Sequence, residues 1–446
     1  MACEPPLYRH IVATVEGEAG TVDNDIAPDG YLPRVVDDEM RDALGTMPAV
    51  VVEGPRACGK TWTGRRFANS AVYLDARAGA AIDAGMDAAS VLDGEPPRLL
   101  DEWQLAPGVW NPMRRACDDR GLRGQFILTG SADPPDDITR HSGAGRIIRV
   151  RMRPMSLYES GESDGVVSLA GLLSGEPCSA DDSGRSLGDV LELACRGGWP
   201  QIRNAGLNVA REAARAYLQE ISRTDVSRVD GVGRDPVRVQ RLIVSLARNV
   251  ATEVRHTVLA ADTALSGEEP LERRTVSGYL SALARLFVVE EVPAWRPHLA
   301  SRSQIRRSPK IHLADPSLTA AALEVGVDGL LRDLSFAGRL FESMTIRDLQ
   351  VYAQANRCSL SHYRDSDNLE VDLIVSRPDG RWLALEVKLG GAAAIDRGAR
   401  TLQRLAGKLD LDRTEGPAKL VVITAGGFAF ERPDGVSVVP VTALGP

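Results

Sequence analysis

Three short patterns in this chain carry the residue types that chemistry needs. The first, Gly54-Pro55-Arg56-Ala57-Cys58-Gly59-Lys60-Thr61, fits G-x-x-x-x-G-K-[ST] and follows the apolar run Val50–Val52. In such a loop the glycines let successive backbone N–H groups curl around phosphate oxygens, Lys60 brings a point charge to the β- and γ-phosphates, and the Thr61 hydroxyl ligates Mg²⁺. A helix beginning near Lys60 adds its positive N-terminal end. The implied ligand is ATP with Mg²⁺, and Cys58 reads as a small buried filler.

The second pattern closes the apolar stretch Arg98–Glu102, RLLDE. Asp101 is placed to hold Mg²⁺ directly or through water, and Glu102 to polarise an attacking water. Thr129 and Ser131, in LTGSAD, either touch the γ-phosphate and the water or cap the strand end. Arg149, Arg151 and Arg153 alternate and so share one strand face, which for most of them is expected to be solvated. Arg146 or Arg149 is the candidate arginine finger, supplied within one subunit or by a neighbour in a homo-oligomer.

The third pattern is Asp372, then 13 intervening residues, then Glu386-x-Lys388. Across a hairpin, Asp372 and Glu386 would ligate Mg²⁺ or Mn²⁺, Lys388 would steady a nucleophilic water, and Glu342 would add a carboxylate from a preceding helix. An exposed Glu-x-Lys strand is commonplace, so the reading rests on the order helix-Glu, strand-Asp, strand-Glu-x-Lys together with the family resemblance given below.

These residues need elements to position them. Strands are expected at 50–53, 70–75, 98–102 and 125–129, separated by helical stretches at 61–68 and 110–120, which indicates a parallel, helix-covered sheet. Residues 160–186 are rich in Gly, Ser, Asp and Glu and read as a loop-rich insertion, while 209–221 has helical periodicity. Amphipathic helices at 237–250 and 273–287, a strand at 288–292 and a basic hairpin at 296–310 outline a winged helix. In that module Arg274, with Ser277 and Ser281, and the wing arginines Arg302, Arg306 and Arg307 would meet DNA phosphates. In the C-terminal part Val371, Leu373 and Val375 are expected on one strand face and Asp372 on the other.

Tyr31-Leu-Pro-Arg34, VVEGPRACGKT, RLLDEWQ, FILTGSA and AGR with MRPMSLYE together resemble the prokaryotic AAA-type ATP-binding proteins related to the archaeal ATPases, from about residue 30 onward. The resemblance implies an α/β chain: an N-terminal P-loop RecA/AAA-like parallel sheet of the additional-strand, catalytic-glutamate kind, a winged-helix middle, and a C-terminal α/β domain similar to restriction-endonuclease-like PD-(D/E)XK nucleases. It places phosphate-loop and acidic roles on Lys60, Thr61, Asp101 and Glu102. The expected division is a lead-in at 1–30, an ATPase core at 31–155, a connecting region at 156–235, a winged-helix-like domain at 236–315 and a nuclease-like domain at 316–446.

The chain has 446 residues, net charge −8, 43% hydrophobic and 26% charged residues, as expected of a soluble protein of several domains. No apolar run is long enough to span a bilayer, so a cytoplasmic location without membrane contact is expected. The six cysteines are scattered, which argues against disulfides and zinc. Together these features lead to the expectation of an ATP hydrolase coupled to a DNA-contacting half that either cleaves DNA or serves as an inactive interaction module.

Overall fold

The structure, a computed structural model, describes residues 28–74, 88–132, 143–229, 231–264, 269–295, 308–408 and 416–446. The N-terminal unit is a five-stranded sheet of β1 (Ala49–Glu53), β2 (Ser70–Tyr73), β3 (Arg98–Asp101), β4 (Phe126–Gly130) and β5 (Ile147–Arg151). The strands run parallel in the order β2-β3-β4-β1-β5. Every residue of β4 and the first four of β1 are buried, as expected of a parallel sheet covered on both faces. The covering helices include α1 (Val36–Thr46), α2 (Lys60–Phe67) and α3 (Trp110–Arg120). Because β4 lies between β1 and β3, the loop after β1 and the acids after β3 meet at one sheet edge, with Thr129–Ser131 between them.

The middle of the chain holds α4 (Leu207–Glu220), a π-helical turn (Ile221–Asp225), α5 (Pro236–Arg248), α6 (His256–Thr263) and α7 (Arg273–Arg285). An antiparallel pair follows, β6 (Val289–Val292) with β7 (Lys310–Leu313). The helices and hairpin come in the expected order, with α6 filling the break. Arg302, Arg306 and Arg307 lie outside the described residues. Lys310 opens β7, but with only 1% of its surface accessible it is not part of the exposed basic patch expected at 296–310.

The C-terminal sheet contains β8 (Ser359–Arg364), β9 (Glu370–Ser376), β10 (Trp382–Lys388), β11 (Lys419–Thr424), β12 (Phe430–Glu431) and β13 (Val436–Pro440), in the order β12-β13-β11-β10-β9-β8. It is packed between α8 (Leu334–Ala355) and α9 (Ala392–Lys408), with β10 parallel to β11 and antiparallel to β9. The register of β8 against β9 shifts between Val371 and Ile374. Val371 therefore packs with Ile374 in one core while Leu373 and Val375 belong to the other, and the expected simple alternation fails at Asp372. A bulge of this kind turns a side chain away from the regular pleat.

Residues 156–235 are more than a connector. Leu169, Leu172, Val190, Leu191 and Ala194 share a core with α8 and the C-terminal sheet, and Leu444 pairs with Val167. The helix Leu187–Arg196 follows directly on the loop-rich 160–186, and its capping box, Ser186 with Asp189, is a sequence-level start signal. The later part, with Trp199, Leu218 and Ile221, joins the core of α5, α6 and α7.

The turn Gly197-Gly198-Trp199-Pro200 connects these cores. A Cβ on Gly198 would stand 2.0 Å from the Met155 carbonyl oxygen, so only glycine fits. Gly198 N–H donates to Asp315 Oδ2 at 3.0 Å, and Trp199 Nε1 to Ser317 Oγ at 3.0 Å. Arg347 of α8 holds Asp315 at 2.9 Å and Asp348 at 2.7 Å, and all three are essentially out of water. Removing one member of such a buried group strands the others. Arg347→Ala is accordingly expected to lower unfolding stability by about 3–5 kcal/mol, read by urea denaturation; a wild-type midpoint and slope would contradict the assignment.

Candidate functional site

At the C-terminal edge of the N-terminal sheet, Gly54–Thr61 wraps from β1 into α2, whose first residue is Lys60. Ala57 and Gly59 adopt positive φ, +61° and +105°. A Cβ on Gly54 would meet the Met152 carbonyl oxygen at 2.0 Å, which explains the first glycine of the pattern. Lys60 is buried and its Nζ donates to the Pro55 carbonyl at 2.8 Å, inside the loop. Cys58 is buried as the small filler expected.

Thr61 Oγ1 donates to Asp101 Oδ1 at 2.9 Å, and Thr129 Oγ1 donates to the same oxygen. One carboxylate thus joins the first turn of α2 to the ends of β3 and β4. Glu102 sits in the left-handed region, φ +56°, an uncommon place for a side-chain-bearing residue, and its N–H donates to Thr129 Oγ1 at 3.2 Å. Its carboxylate accepts from Gln104 Nε2 and from Ser131 Oγ, the latter at 3.0 Å. Thr129 and Ser131 thus each bind one of the paired acids rather than merely capping a strand. Gln104 was not anticipated, and its place two residues after Glu102 was the only signal.

Arg34 braces the loop from outside. Its buried guanidinium donates to the Cys58 carbonyl at 2.7 Å, to the Arg153 carbonyl at 2.8 Å and to Glu159 at 2.9 Å. Arg56, in the loop itself, pairs with Asp225 of the π-helical turn at 3.0 Å. The loop is therefore tied to the middle of the chain by a side chain it carries.

The arginines of β5 part company. Arg146 precedes β5 at the opposite sheet edge from the loop and pairs with Asp118, and Arg149 pairs with Glu53 at 2.9 Å. Arg146 thus lies at the far edge, while Arg149 reaches the residue directly before Gly54. Arg151 and Arg153 are not a solvated face, since both bind Glu290 of β6, at 3.1 and 3.4 Å. Burial works against that carboxylate, yet the two guanidiniums hold it below its ordinary range.

The second constellation also assembles, with an addition. Glu342 from α8, Asp372 from β9 and Glu386 and Lys388 from β10 come together, and so does Lys310 from β7. Lys310 Nζ lies 2.9 Å from Glu342, 3.0 Å from Glu370 and 3.8 Å from Asp372. Lys388 Nζ binds Asp372 at 3.2 Å and also Glu386. Pairing of β9 with β10 stops at Leu373–Leu385, which leaves the Val387 N–H to donate to Asp372 at 2.8 Å. Asp372 stays below the usual carboxylate range: burial opposes this, and Lys310 and Lys388 outweigh it. Burial and the Asp372 charge push Glu342 and Glu386 upward.

The two sites differ as metal sites. Thr61 and Asp101 offer adjacent oxygens beside a phosphate loop, a donor set that suits Mg²⁺. The Asp372–Glu386 site does not fit: its carboxylates face two ammonium groups, and among the described residues no group of three or more His, Cys, Asp or Glu is arranged to hold a metal ion. Of the DNA-contact candidates, Arg274 is exposed on α7.

Residues 46–161 match the family of AAA domains. Residues 187–328 and 337–444 match two domains of unknown function, DUF8612 and DUF4143. The uncharacterized proteins Rv2008c of Mycobacterium tuberculosis and Mb2031c of Mycobacterium bovis are each 27% identical over 406 residues, covering 90% of this chain and 82% of theirs. Among solved structures, the Walker-type ATPase PABY2304 of Pyrococcus abyssi aligns with 13% identity and TM-score 0.41, over 67% of this chain and 97% of that one. AMPPCP-bound DnaA of Aquifex aeolicus aligns with 13% identity and TM-score 0.27, over 56% and 86%. The match over residues 46–161 supports an AAA-type N-terminal unit, and no helix among the described residues is long and apolar enough to cross a membrane.

The raised carboxyls give a signed pH effect. A group held above its ordinary value, 4.5 for glutamate, adds stability that is complete below that value and is lost as pH climbs through the raised one. Thermal midpoints are expected to fall as pH rises through neutrality, and Glu386→Gln should flatten that slope. An unchanged slope in the variant would rule this out.

Proposed function

We propose that the chain binds ATP at Gly54–Thr61 and hydrolyses it with Mg²⁺, and that this cycle is coupled to a C-terminal half that contacts DNA. The observation that carries the reading is the Thr61–Asp101 hydrogen bond, which unites the phosphate loop with the acidic strand end. Thr61 and Asp101 are the residues that would hold Mg²⁺, which when bound neutralises phosphate charge. The Lys60 ammonium, now given to the Pro55 carbonyl, would turn to the β- and γ-phosphates. Glu102 would polarise the attacking water, its carboxylate aimed by Gln104 and Ser131.

Coupling would run through contacts that leave the AAA domain: Arg56 with Asp225, and Arg151 and Arg153 with Glu290. With Arg149 given to Glu53 and Arg146 at the far edge, an arginine at the γ-phosphate would come from a neighbouring subunit of a homo-oligomer. DNA contact would fall to Arg274 and to Arg302, Arg306 and Arg307 in a winged-helix-like unit, phosphate contacts that a net charge of −8 confines to a local patch. The order helix, three strands, helix, strand from α8 to β11 supports a nuclease-like fold for the C-terminal unit. The two ammonium groups among its carboxylates favour the reading in which that unit binds without cutting.

Lys60→Ala should abolish ATP turnover. Glu102→Gln should retain nucleotide binding while turnover falls about 100-fold or more, measured by phosphate release beside equilibrium binding of labelled ATP; turnover at the wild-type rate in either variant would sink the site. For the DNA reading, anisotropy titrations should show binding that weakens steeply with salt and weakens further when Arg302, Arg306 and Arg307 are all changed to Ala. Binding indifferent to both would remove DNA as the partner.

A further inference from the structure

Lys310 is the most unusual residue outside the phosphate site. Its side chain is 2% exposed, yet it lies within 4 Å of three carboxylates from two elements: Glu342 on α8, and Glu370 and Asp372 on β9. An ammonium out of water needs such company, because desolvation alone costs several kcal/mol. With Glu386, four carboxylates share the cluster with two ammoniums, Lys310 and Lys388. Asp372 bridges them, one oxygen toward each.

The strand that delivers Lys310 is fixed. β7 pairs with β6, and β6 continues through Ala294 into a bridge with His362 of β8. Trp295 packs on Trp382 at 4.8 Å between ring centroids and donates its N–H to the His362 carbonyl at 2.7 Å. The hairpin base is therefore docked on the C-terminal sheet, and the aliphatic stem of Lys310 carries its charge into the carboxylates.

The geometry points to Lys310 as an in-built counter-cation. Its ammonium fills the electrostatic role that a divalent ion would have among Glu342, Glu370 and Asp372, so the folded cluster takes no metal, and removing this one charge converts it into a divalent-cation site. Mg²⁺ and Mn²⁺ prefer oxygen donors without a competing cation beside them, and Glu342, Asp372 and Glu386 would supply those oxygens once the ammonium is gone. The inference is independent of the ATP reading: it concerns a different unit and would stand if Lys60→Ala left turnover untouched.

The test is Mn²⁺ titration of the full, nucleotide-free chain, followed by the electron paramagnetic resonance of free Mn²⁺. The wild type and Asp372→Asn should bind alike, with no site that depends on Asp372. Lys310→Met, which keeps the length and loses the charge, should gain one site at least about tenfold tighter than any in the wild type, a difference of about 1.4 kcal/mol. That site should vanish in Lys310→Met/Asp372→Asn. A wild-type Mn²⁺ site lost in Asp372→Asn would overturn the proposal, as would a folded Lys310→Met that gains none. Should Lys310→Met fail to fold, thermal midpoints of the wild type decide: equality in EDTA and in millimolar Mn²⁺ supports the proposal, and a rise that Asp372→Asn removes refutes it.

Discussion

Charges removed from water must be answered by charge or by hydrogen bonds, and in this protein the answers come from distant stretches of chain. Arg34 finds Glu159 and the Cys58 carbonyl, Arg347 finds Asp315, and Lys310 finds Glu342 and its neighbours. Each pairing joins elements that hydrophobic packing alone could shift against one another. Cores supply most of the driving force, but these pairs fix how the cores meet. The AAA domain, the helical middle and the C-terminal sheet are thereby held in one arrangement, with the phosphate loop at the junction of the first two.

The phosphate loop follows the same logic on a smaller scale. Asp101 receives two hydroxyls, one from the start of α2 and one from the end of β4, and this sets the spacing between loop and acid. Glu102 stands in a backbone region unfavourable for it, held by Thr129 through its N–H and by Gln104 and Ser131 through its carboxylate. Backbone strain that surrounding contacts sustain clusters at functional positions.

Much of the N-terminal unit was legible because its signals are local. The VVEGPRACGKT stretch, the RLLDE strand and the glycine positions each state their own geometry. The insertion of β4 between β1 and β3 was not local, and only the resemblance suggested it. At the second site, residue types and order together with the resemblance brought Glu342, Asp372, Glu386 and Lys388 together. The bulge at Val371–Ile374 escaped because a period-two pattern carries no mark for an irregular pair. Lys310 escaped for another reason: in a basic run every residue looks alike, and nothing in the run marks the one whose side chain is buried among carboxylates. Arg151 and Arg153 read as solvated because their partner, Glu290, lies far along the chain.

One contact bears on how the chain comes to be folded at all. Gln354, near the end of α8, donates to Glu39 Oε2 at 2.6 Å and to the Arg151 carbonyl at 2.8 Å, the first of these across 315 residues of sequence. During synthesis from the N-terminus, the surface formed by α1 and β5 waits for most of the polypeptide before it is covered. The contact is of high sequence separation, closed late and at a large loop-entropy cost. Through this contact the nascent N-terminal unit and the finished one present different surfaces.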